Sequence, residues 1–425
     1  MDSKAAQKNI FYNFSTKLVA MVCYFGLDII AARLLGYVLF DEWNYVYSII
    51  VICNWIFRFG VDSSCRVYIA RSEGDMEKQR DYFEQGLCLQ VIVSISLVIL
   101  FVGLVGFGAG YLGYPQKYPN LKGLLILGLV YSAFYAVLCC IKESFIGMSS
   151  FKKVFIVTSV EFVGYIVIGT LGMKAAGSYG LACGYALAAL FAILVGMKQL
   201  PFQWKLRLRK QKPYAGEIIR YALPLLIGNI GGMVATEMDT FMLGTLHKGE
   251  VGIYSIAKNL ISKATNIPLA ICVAVMVQFA VIENETLRKK CRSFWKILGA
   301  NFLFLLVVSG MMCILLPIFI PIFYGQQYQN SIKVLFLLMP YFVLYSMTIF
   351  LTNFLNYQKK VGTVTMATLI MVLVNLVLNL LFIPEYGSSG AAVATTISAV
   401  PFTLILLKDT LRFWRRKLKM IDTVQ

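Results

Sequence analysis

Residues Asn375–Val400 read NLVLNLLFIPEYGSSGAAVATTISAV, two apolar runs that meet at a charged, glycine-bearing junction, PEYGSSG. The same arrangement stands 210 positions earlier, in Tyr165–Leu190, as YIVIGTLGMKAAGSYGLACGYALAAL, with Gly177 matching Gly387 and Gly180 matching Gly390. Proline lacks an amide donor and glycine accepts a turn, so Pro384 and Gly387 are expected to end one helix. The run GAAVATT then starts another, with side chains small enough for close packing. The junction reads as a tight helical hairpin with no catalytic content, and the chain carries it twice.

The offset of 210 extends beyond the hairpin. Tyr118 matches Tyr328, Asn120 matches Asn330, Tyr131 matches Tyr341 and Tyr135 matches Tyr345, without a gap. Nearer each start, ARLLGYVLFDEWNYVYSI (Ala32–Ile49) resembles FMLGTLHKGEVGIYSI (Phe241–Ile256) with one residue of slippage. The sequence is therefore one unit written twice.

Composition fixes the solvent. The 425 residues are 59% hydrophobic and only 14% charged, with mean hydropathy +0.73, against about a quarter charged in soluble domains. A helical span needs roughly 20 largely apolar residues. Twelve are placed, near 12–35, 43–61, 83–108, 121–141, 154–173, 179–199, 216–243, 251–279, 294–316, 332–354, 362–383 and 390–408. Six spans per copy, an even number, make a parallel repeat with its axis along the membrane normal. The expected domains are an N-terminal six-helix lobe over 1–200, a basic, proline-bounded cytoplasmic linker over 201–213 (PFQWKLRLRKQKP), and a C-terminal six-helix lobe over 214–425 with a basic cytoplasmic tail.

The net charge of +18 follows the topology. With the N-terminus inside, cytoplasmic ends and loops hold 28 Lys or Arg, whereas outward segments hold five, Lys117, Lys122, Lys174, Lys248 and Lys333. That is the positive-inside bias, and it places both termini in the cytoplasm. The basic clusters read as topology anchors and contacts for anionic lipids, with no nucleic-acid partner. Ten scattered cysteines without a CxxC pair read as small buried apolar residues. The N-terminus lacks the pattern of a removable signal peptide.

Two signals of enzymes fall away. The GxGxxG at Gly108, Gly110 and Gly113 closes a membrane span, not a strand before a helix. No GxxxxGK[ST] occurs, and no loop is large enough for an ATPase or a soluble catalytic domain. The single histidine, His247, lies in a short outward turn and reads as a solvated loop residue. The expectation is no enzyme, no cofactor and no metal site.

Taken with FYGQQYQNSIKVLFLL (Phe323–Leu338) and GEVGIYSIAKNL (Gly249–Leu260), the duplicated hairpin and the early Ala32–Ile49 stretch give the chain a family likeness. It resembles the polysaccharide-transporter branch of the multidrug/oligosaccharidyl-lipid/polysaccharide superfamily, the O-antigen flippases of Wzx type. The resemblance implies an all-α membrane fold of twelve helices in two six-helix lobes, forming a V around a central cavity. It implies translocation of undecaprenyl-pyrophosphate-linked oligosaccharide from the inner to the outer leaflet of a bacterial cytoplasmic membrane by alternating access. A polysaccharide polymerase is then a candidate partner. Lipid II flippases of the same superfamily have fourteen spans, and no room for two more exists after Leu407. A multidrug/cation antiporter of the superfamily is the alternative, with a membrane-embedded glycan-modifying enzyme behind it.

Charges inside spans are costly, about 2.5–3.5 kcal/mol each on insertion scales, and mark cavities or pairs. Asn13, Lys17, Tyr24 and Asp28 share a face of the first span, and Tyr47, Asn54, Arg58 and Asp62 a face of the second. Tyr254, Lys258 and Thr265 form a stripe on the eighth, with Asn259, Lys263 and Asn266 beside it. Lys17, Arg58, Lys258 and Lys263 are the candidate cations for a lipid-linked pyrophosphate. Asp28, Glu161 and Asp239 are candidate carriers for proton or sodium coupling. Glu161 stands alone near the middle of the fifth span, either a buried protonated carboxyl or an ion-coupling group. Arg33, Asp62, Glu217 and Arg220 lie near span ends and read as end placement or internal pairs.

Overall fold

A hydrocarbon interior offers no partner to backbone N–H and C=O groups, so a chain of this composition must satisfy them within helices. The computed structural model describes residues 3–108, 118–203, 214–279 and 287–422. Most of the basic linker (204–213) and the segment 109–117, with Gly110, Gly113 and Lys117, lie outside the described residues.

Among the described residues the fold is all-helical, with no strand. In order come α1 (Ser3–Arg58), α2 (Val61–Arg71), α3 (Met76–Gly108), α4 (Leu121–Gly147), α5 (Phe151–Lys198) and α6 (Tyr214–Leu246). Then follow α7 (Val251–Ala264), α8 (Asn266–Met276), α9 (Leu287–Phe323), α10 (Ser331–Tyr357) and α11 (Val361–Asp422). Seven of these, α1, α3, α4, α5, α9, α10 and α11, are long and apolar enough to cross a membrane. On α9, Leu303, Val307, Ile314, Ile318 and Ile322 are exposed along one stripe, while Leu298, Asn301 and Leu305 are buried on another. An apolar stripe turned outward is what lipid, not water, selects.

Three of the helices are too long to be straight spans. The apolar parts of α1 and α5 are 48 residues each and that of α11 is 59. At about 1.5 Å per residue, 48 residues would reach about 72 Å, more than twice the roughly 30 Å hydrocarbon core. Each is broken at a glycine: Gly36 (φ 70°, ψ 178°) in α1, Gly177 (φ 55°, ψ −133°) in α5 and Gly387 (φ 55°, ψ −132°) in α11. Such dihedrals are open to glycine and nearly closed to other residues. The chain folds back at these points. Tyr24 and Tyr47 flank Gly36 at nearly equal distance along the chain, and their rings lie 6.2 Å apart. Around Gly177 the backbone of Gly172 meets that of Gly180, and Gly164 faces Ala188. Around Gly387 the Phe382 backbone meets Gly390.

The expectation that Pro384 helps end its helix needs correction. Pro384 remains within α11, and only Gly387 leaves helical geometry. Pro384 removes one helical hydrogen bond, the one to the Leu380 carbonyl, without ending the helix, and the left-handed φ of Gly387 makes the break. Glu250, from the loop before α7, then clamps the restart. It accepts the Ser388 N–H at 2.7 Å and the Ser388 hydroxyl at 2.5 Å, a carboxylate at the positive end of a helix. His247 lies 3.5 Å from the same carboxylate and is half-buried, so it is a partner in this clamp and not a purely solvated loop residue.

The duplication is also geometric. α4 and α10 begin and end 210 residues apart, and α5 and α11 begin at the same offset. Both α4 and α10 finish on a left-handed residue that is not glycine, Ser149 (φ 55°) and Lys359 (φ 58°). The following hydrogen bonds repeat too: Ser150 N–H to Phe145 O at 2.8 Å and Ser149 N–H to Ile146 O at 2.9 Å, against Lys360 N–H to Leu355 O at 2.9 Å and Lys359 N–H to Asn356 O at 3.0 Å. This is a Schellman cap in both copies.

The chain divides into two compact units, Met1–Glu237 and Met238–Gln425, with the division falling inside α6. In the first, α1, α4 and α5 pack together, α3 lies on α4, and α2 fits between α3 and α4. The first half of α6 is held here: Tyr82 donates to Glu217 at 2.7 Å, and Gly60 lies so close to Ala222 that a Cβ would come within 2.7 Å of its carbonyl. Asp75 caps α3 by accepting the Lys78 N–H at 3.0 Å, and that bond holds its carboxyl below the ordinary carboxylate range. In the second unit, α10 packs on α7, α8, α9 and α11 around an aromatic core of Phe279, Phe294, Phe354 and Trp414.

Candidate functional site

The first unit contains a cavity of about 290 Å³. The second half of α1 brings Tyr47, Asn54, Trp55 and Arg58 to one wall, a face at spacings of 7, 1 and 3. The first half of α1 adds Tyr24, folded back by the break at Gly36. Tyr131 and Tyr135 come from α4 and Glu161, Phe162 and Tyr165 from α5.

Charge in this cavity is paired. Glu161 is fully buried and takes Lys142 of α4 at 2.9 Å on one carboxylate oxygen and the Tyr165 hydroxyl at 3.0 Å on the other. It is thus not the isolated group that its place in the sequence suggests. The Lys142 ammonium also lies 5.4 Å from the Tyr135 ring. Arg58 is ion-paired with Asp62, four residues on and fully buried, and its guanidinium rests 5.1 Å from the Trp55 ring centre. The charged residues of the lining are Arg58 and Glu161, and each is held by a partner of opposite charge. Tyr131 and Tyr165 share a hydroxyl contact at 3.1 Å, and Tyr165 stacks on Tyr185 at 4.5 Å.

A second polar cluster lies in the second unit around Asp239 of α6. Asn379 donates to one carboxylate oxygen at 2.6 Å, and Thr395 and Tyr254 donate to the other at 2.7 and 3.0 Å. Asn375 accepts from Asn379 at 3.0 Å. The described partners of Asp239 are all neutral donors, and the Asn379 carbonyl oxygen is buried with no partner among the described residues. Three neutral donors hold the carboxylate in place, and an ionisable group so placed inside an apolar helix marks a candidate functional position.

The other sequence-predicted residues are spread out. Lys17 is exposed on the first half of α1, away from the cavity lining. Asp28 is half-buried and acts electrostatically on Tyr24, Tyr47 and Tyr185. Lys258 is half-buried and donates to Thr240 at 2.9 Å, and Lys263 is half-buried near the end of α7. Sequence reasoning missed Lys142, which continues the stripe of Tyr131 and Tyr135 at a spacing of 7, and the Asn375, Asn379 and Thr395 set. At the offset of 210, Tyr165 corresponds to Asn375 and Tyr185 to Thr395. The same positions are aromatic in one copy and small and polar in the other.

A family model described as polysaccharide biosynthesis protein matches residues 6–279. The "Probable low-salt glycan biosynthesis flippase Agl15" of Haloferax volcanii is 25% identical over 231 residues, covering 52% of this chain and 48% of the relative. The match thus spans about half the length of that relative. Among solved structures, lipid II flippase MurJ in an inward closed conformation has a TM-score of 0.74 at 16% identity, over 98% of this chain and 92% of its own. An inward-facing multidrug resistance MATE family transporter of the MOP superfamily reaches 0.66 at 13% identity, over 98% and 96%. A MOP superfamily transporter from Pyrococcus furiosus reaches 0.64 at 14%, over 99% and 96%. At these identities the structural likeness is one of fold.

Proposed function

Because the chain belongs to the polysaccharide biosynthesis protein family, we propose that it is a flippase that carries a lipid-linked oligosaccharide across the cytoplasmic membrane. The carrier is read as undecaprenyl pyrophosphate, the direction as inner to outer leaflet, and the cycle as alternating access. The observation that carries this reading is the polar and aromatic cavity held inside a unit whose outer helices are apolar. A glycan headgroup has to cross hydrocarbon, and such a lining gives its hydroxyl groups partners on the way.

The three glycine breaks support twelve crossings. If each of α1, α5 and α11 is two spans, and α1–α2 and α7–α8 are each continued across their short interruptions, the described helices give six crossings in each copy. Both termini then stand on the cytoplasmic side, as the lysine and arginine bias requires.

For coupling, Asp239 is favoured over Glu161. Glu161 already holds a cation in Lys142, so releasing it to bind another would strand a buried ammonium. Asp239 has neutral donors on both oxygens. Inward movement of a proton or sodium ion through this site would be exchanged for outward movement of glycan.

The fold likeness to multidrug MATE transporters favours one competing reading, an antiporter of organic cations. Reconstituted vesicles separate the two. Purified chain should move fluorescent lipid-linked oligosaccharide between leaflets and leave an accumulated organic cation such as ethidium in place. Ethidium efflux without glycan movement would overturn the flippase reading.

A further inference from the structure

We propose that the cavity of the first unit is a subsite for an uncharged sugar ring, and that the pyrophosphate of a lipid-linked substrate is held elsewhere. The inference rests on the flippase reading for its substrate class and on the cavity alone for its selectivity.

Charge argues first. A pyrophosphate is recognised by cationic groups free to give charge-assisted hydrogen bonds. Arg58, the cation of the lining, is committed to Asp62, and the lining's carboxylate, Glu161, already holds Lys142; the side chains of Asp62 and Glu161 are 0% and 1% exposed. An incoming phosphate would have to draw a cation away and leave a carboxylate buried without its partner, a costly exchange. A carboxylate-bearing sugar such as a uronic acid would meet Glu161 with the same sign of charge.

The remaining lining suits hydroxyl groups and C–H faces. Tyr24, Tyr47, Tyr131, Tyr135, Tyr165 and Trp55 give ring faces on which the apolar side of a sugar can lie, and phenolic oxygens that donate or accept at its edges. Asn54 supplies an independent signal. It is 8% exposed, it lines the cavity, and its carbonyl oxygen has no hydrogen-bond partner among the described residues. Buried acceptors are rarely left unmatched, and a sugar hydroxyl is a donor of the right kind. The volume of about 290 Å³ falls just below the roughly 300–1,000 Å³ range of ligand pockets, a size for one ring or two and not for a whole oligosaccharide. The second copy has Asn375 and Thr395 where the first has Tyr165 and Tyr185, so these two rings are a property of one copy and not of the fold in general.

The test uses the full chain in nanodiscs of uncharged lipid, with methyl glucoside and N-acetylglucosamine as neutral probes, glucuronate as an anionic one, and inorganic pyrophosphate. Saturation transfer from protein to the ring protons should be seen for the neutral sugars and be weaker for glucuronate. Binding of the neutral sugars should weaken about tenfold in Asn54→Leu and in Trp55→Leu, each checked for an unchanged thermal midpoint, with Asn54→Ser as the smaller change if Asn54→Leu does not fold. Broadening of the pyrophosphate phosphorus signal that vanishes in Arg58→Gln, or neutral-sugar binding untouched by all of these changes, overturns the subsite. Vesicle transport separates this from the parent reading. A chain that binds neutral sugars through Asn54 yet flips no glycan lipid keeps the subsite and loses the flippase, while one that flips glycan lipid and ignores all the sugars does the reverse.

Discussion

Lys142 and Glu161 are coupled so tightly that neither can be altered alone without consequence. Glu161→Gln leaves the Lys142 ammonium, 5.4 Å from the Tyr135 ring, without its counter-charge. Breaking a buried pair from one side costs about 3–5 kcal/mol, whereas replacing both members by apolar side chains of similar volume is near neutral. The expected result is a clear fall in thermal midpoint, followed by intrinsic fluorescence in detergent, for Glu161→Gln and a much smaller one for the double change Lys142→Met with Glu161→Leu. Equal losses would mean that the pair is exposed to water in solution. Asp239→Asn gives the contrasting case: it keeps the size and most of the hydrogen bonds offered by Asn379, Thr395 and Tyr254 but removes the charge. This variant should stay folded and lose its response to an imposed proton or sodium gradient in vesicles; a retained response would remove Asp239 from coupling. Only part of this was legible beforehand. Arg58, Glu161 and Asp239 stand out as charges in apolar runs, but Lys142 falls one residue past the expected end of its span at 141, and an error of one turn moves a cation from headgroups into an ion pair with Glu161. Two of the three partners of Asp239 come from 140 and 156 residues away, a distance over which one sequence carries no pairing signal.

Glycine marks the turning points of the helices, and its cost when replaced should follow the local space. At Gly172 a Cβ would stand 2.2 Å from the Gly180 carbonyl oxygen, a backbone atom that cannot move without opening the hairpin. At Gly177 the nearest neighbour is a Leu39 methyl group at 3.8 Å, so only the positive φ opposes a side chain. Gly172→Ala should therefore lower the amount of folded protein recovered in the membrane more than Gly177→Ala, which carries a strain of about 1–3 kcal/mol. The reverse order would contradict the close backbone contact. Ser149 and Lys359 present the opposite opportunity. Both hold a left-handed cap that glycine would hold without strain, so Lys359→Gly is expected to stabilise by about 1 kcal/mol, read as a raised thermal midpoint. A lowered midpoint would mean that the Lys359 side chain makes a contact worth more than the strain. These elements also show where sequence reading succeeds. The hairpins at Gly177 and Gly387 are legible because the residue type required by the turn is written at the same place in both copies. The caps at Ser149 and Lys359 are not, because neither residue is one that a left-handed position selects, and the shared geometry comes from the hydrogen bonds of the helix end.

The exposed apolar stripe of α9 and the polar cavity of the first unit are the features that the proposed lipid-linked substrate would call for. The duplication, the spans and the positive-inside bias follow from composition and spacing, which is why they can be read before any coordinates. Energy is the remaining question. The membrane potential is worth about 2.3 kcal/mol per elementary charge per 100 mV, so two uncompensated negative charges moving outward from a negative interior would gain roughly 4–5 kcal/mol. A nucleotide is not needed on that scale. The most direct measurement is leaflet exchange of a fluorescent polyprenyl-pyrophosphate-linked oligosaccharide in vesicles holding the purified chain, free of ATP, with and without an imposed potential negative on the cytoplasmic side. The account predicts glycan movement without ATP that accelerates under the potential. Movement that required added ATP and ignored potential, proton and sodium gradients would contradict it.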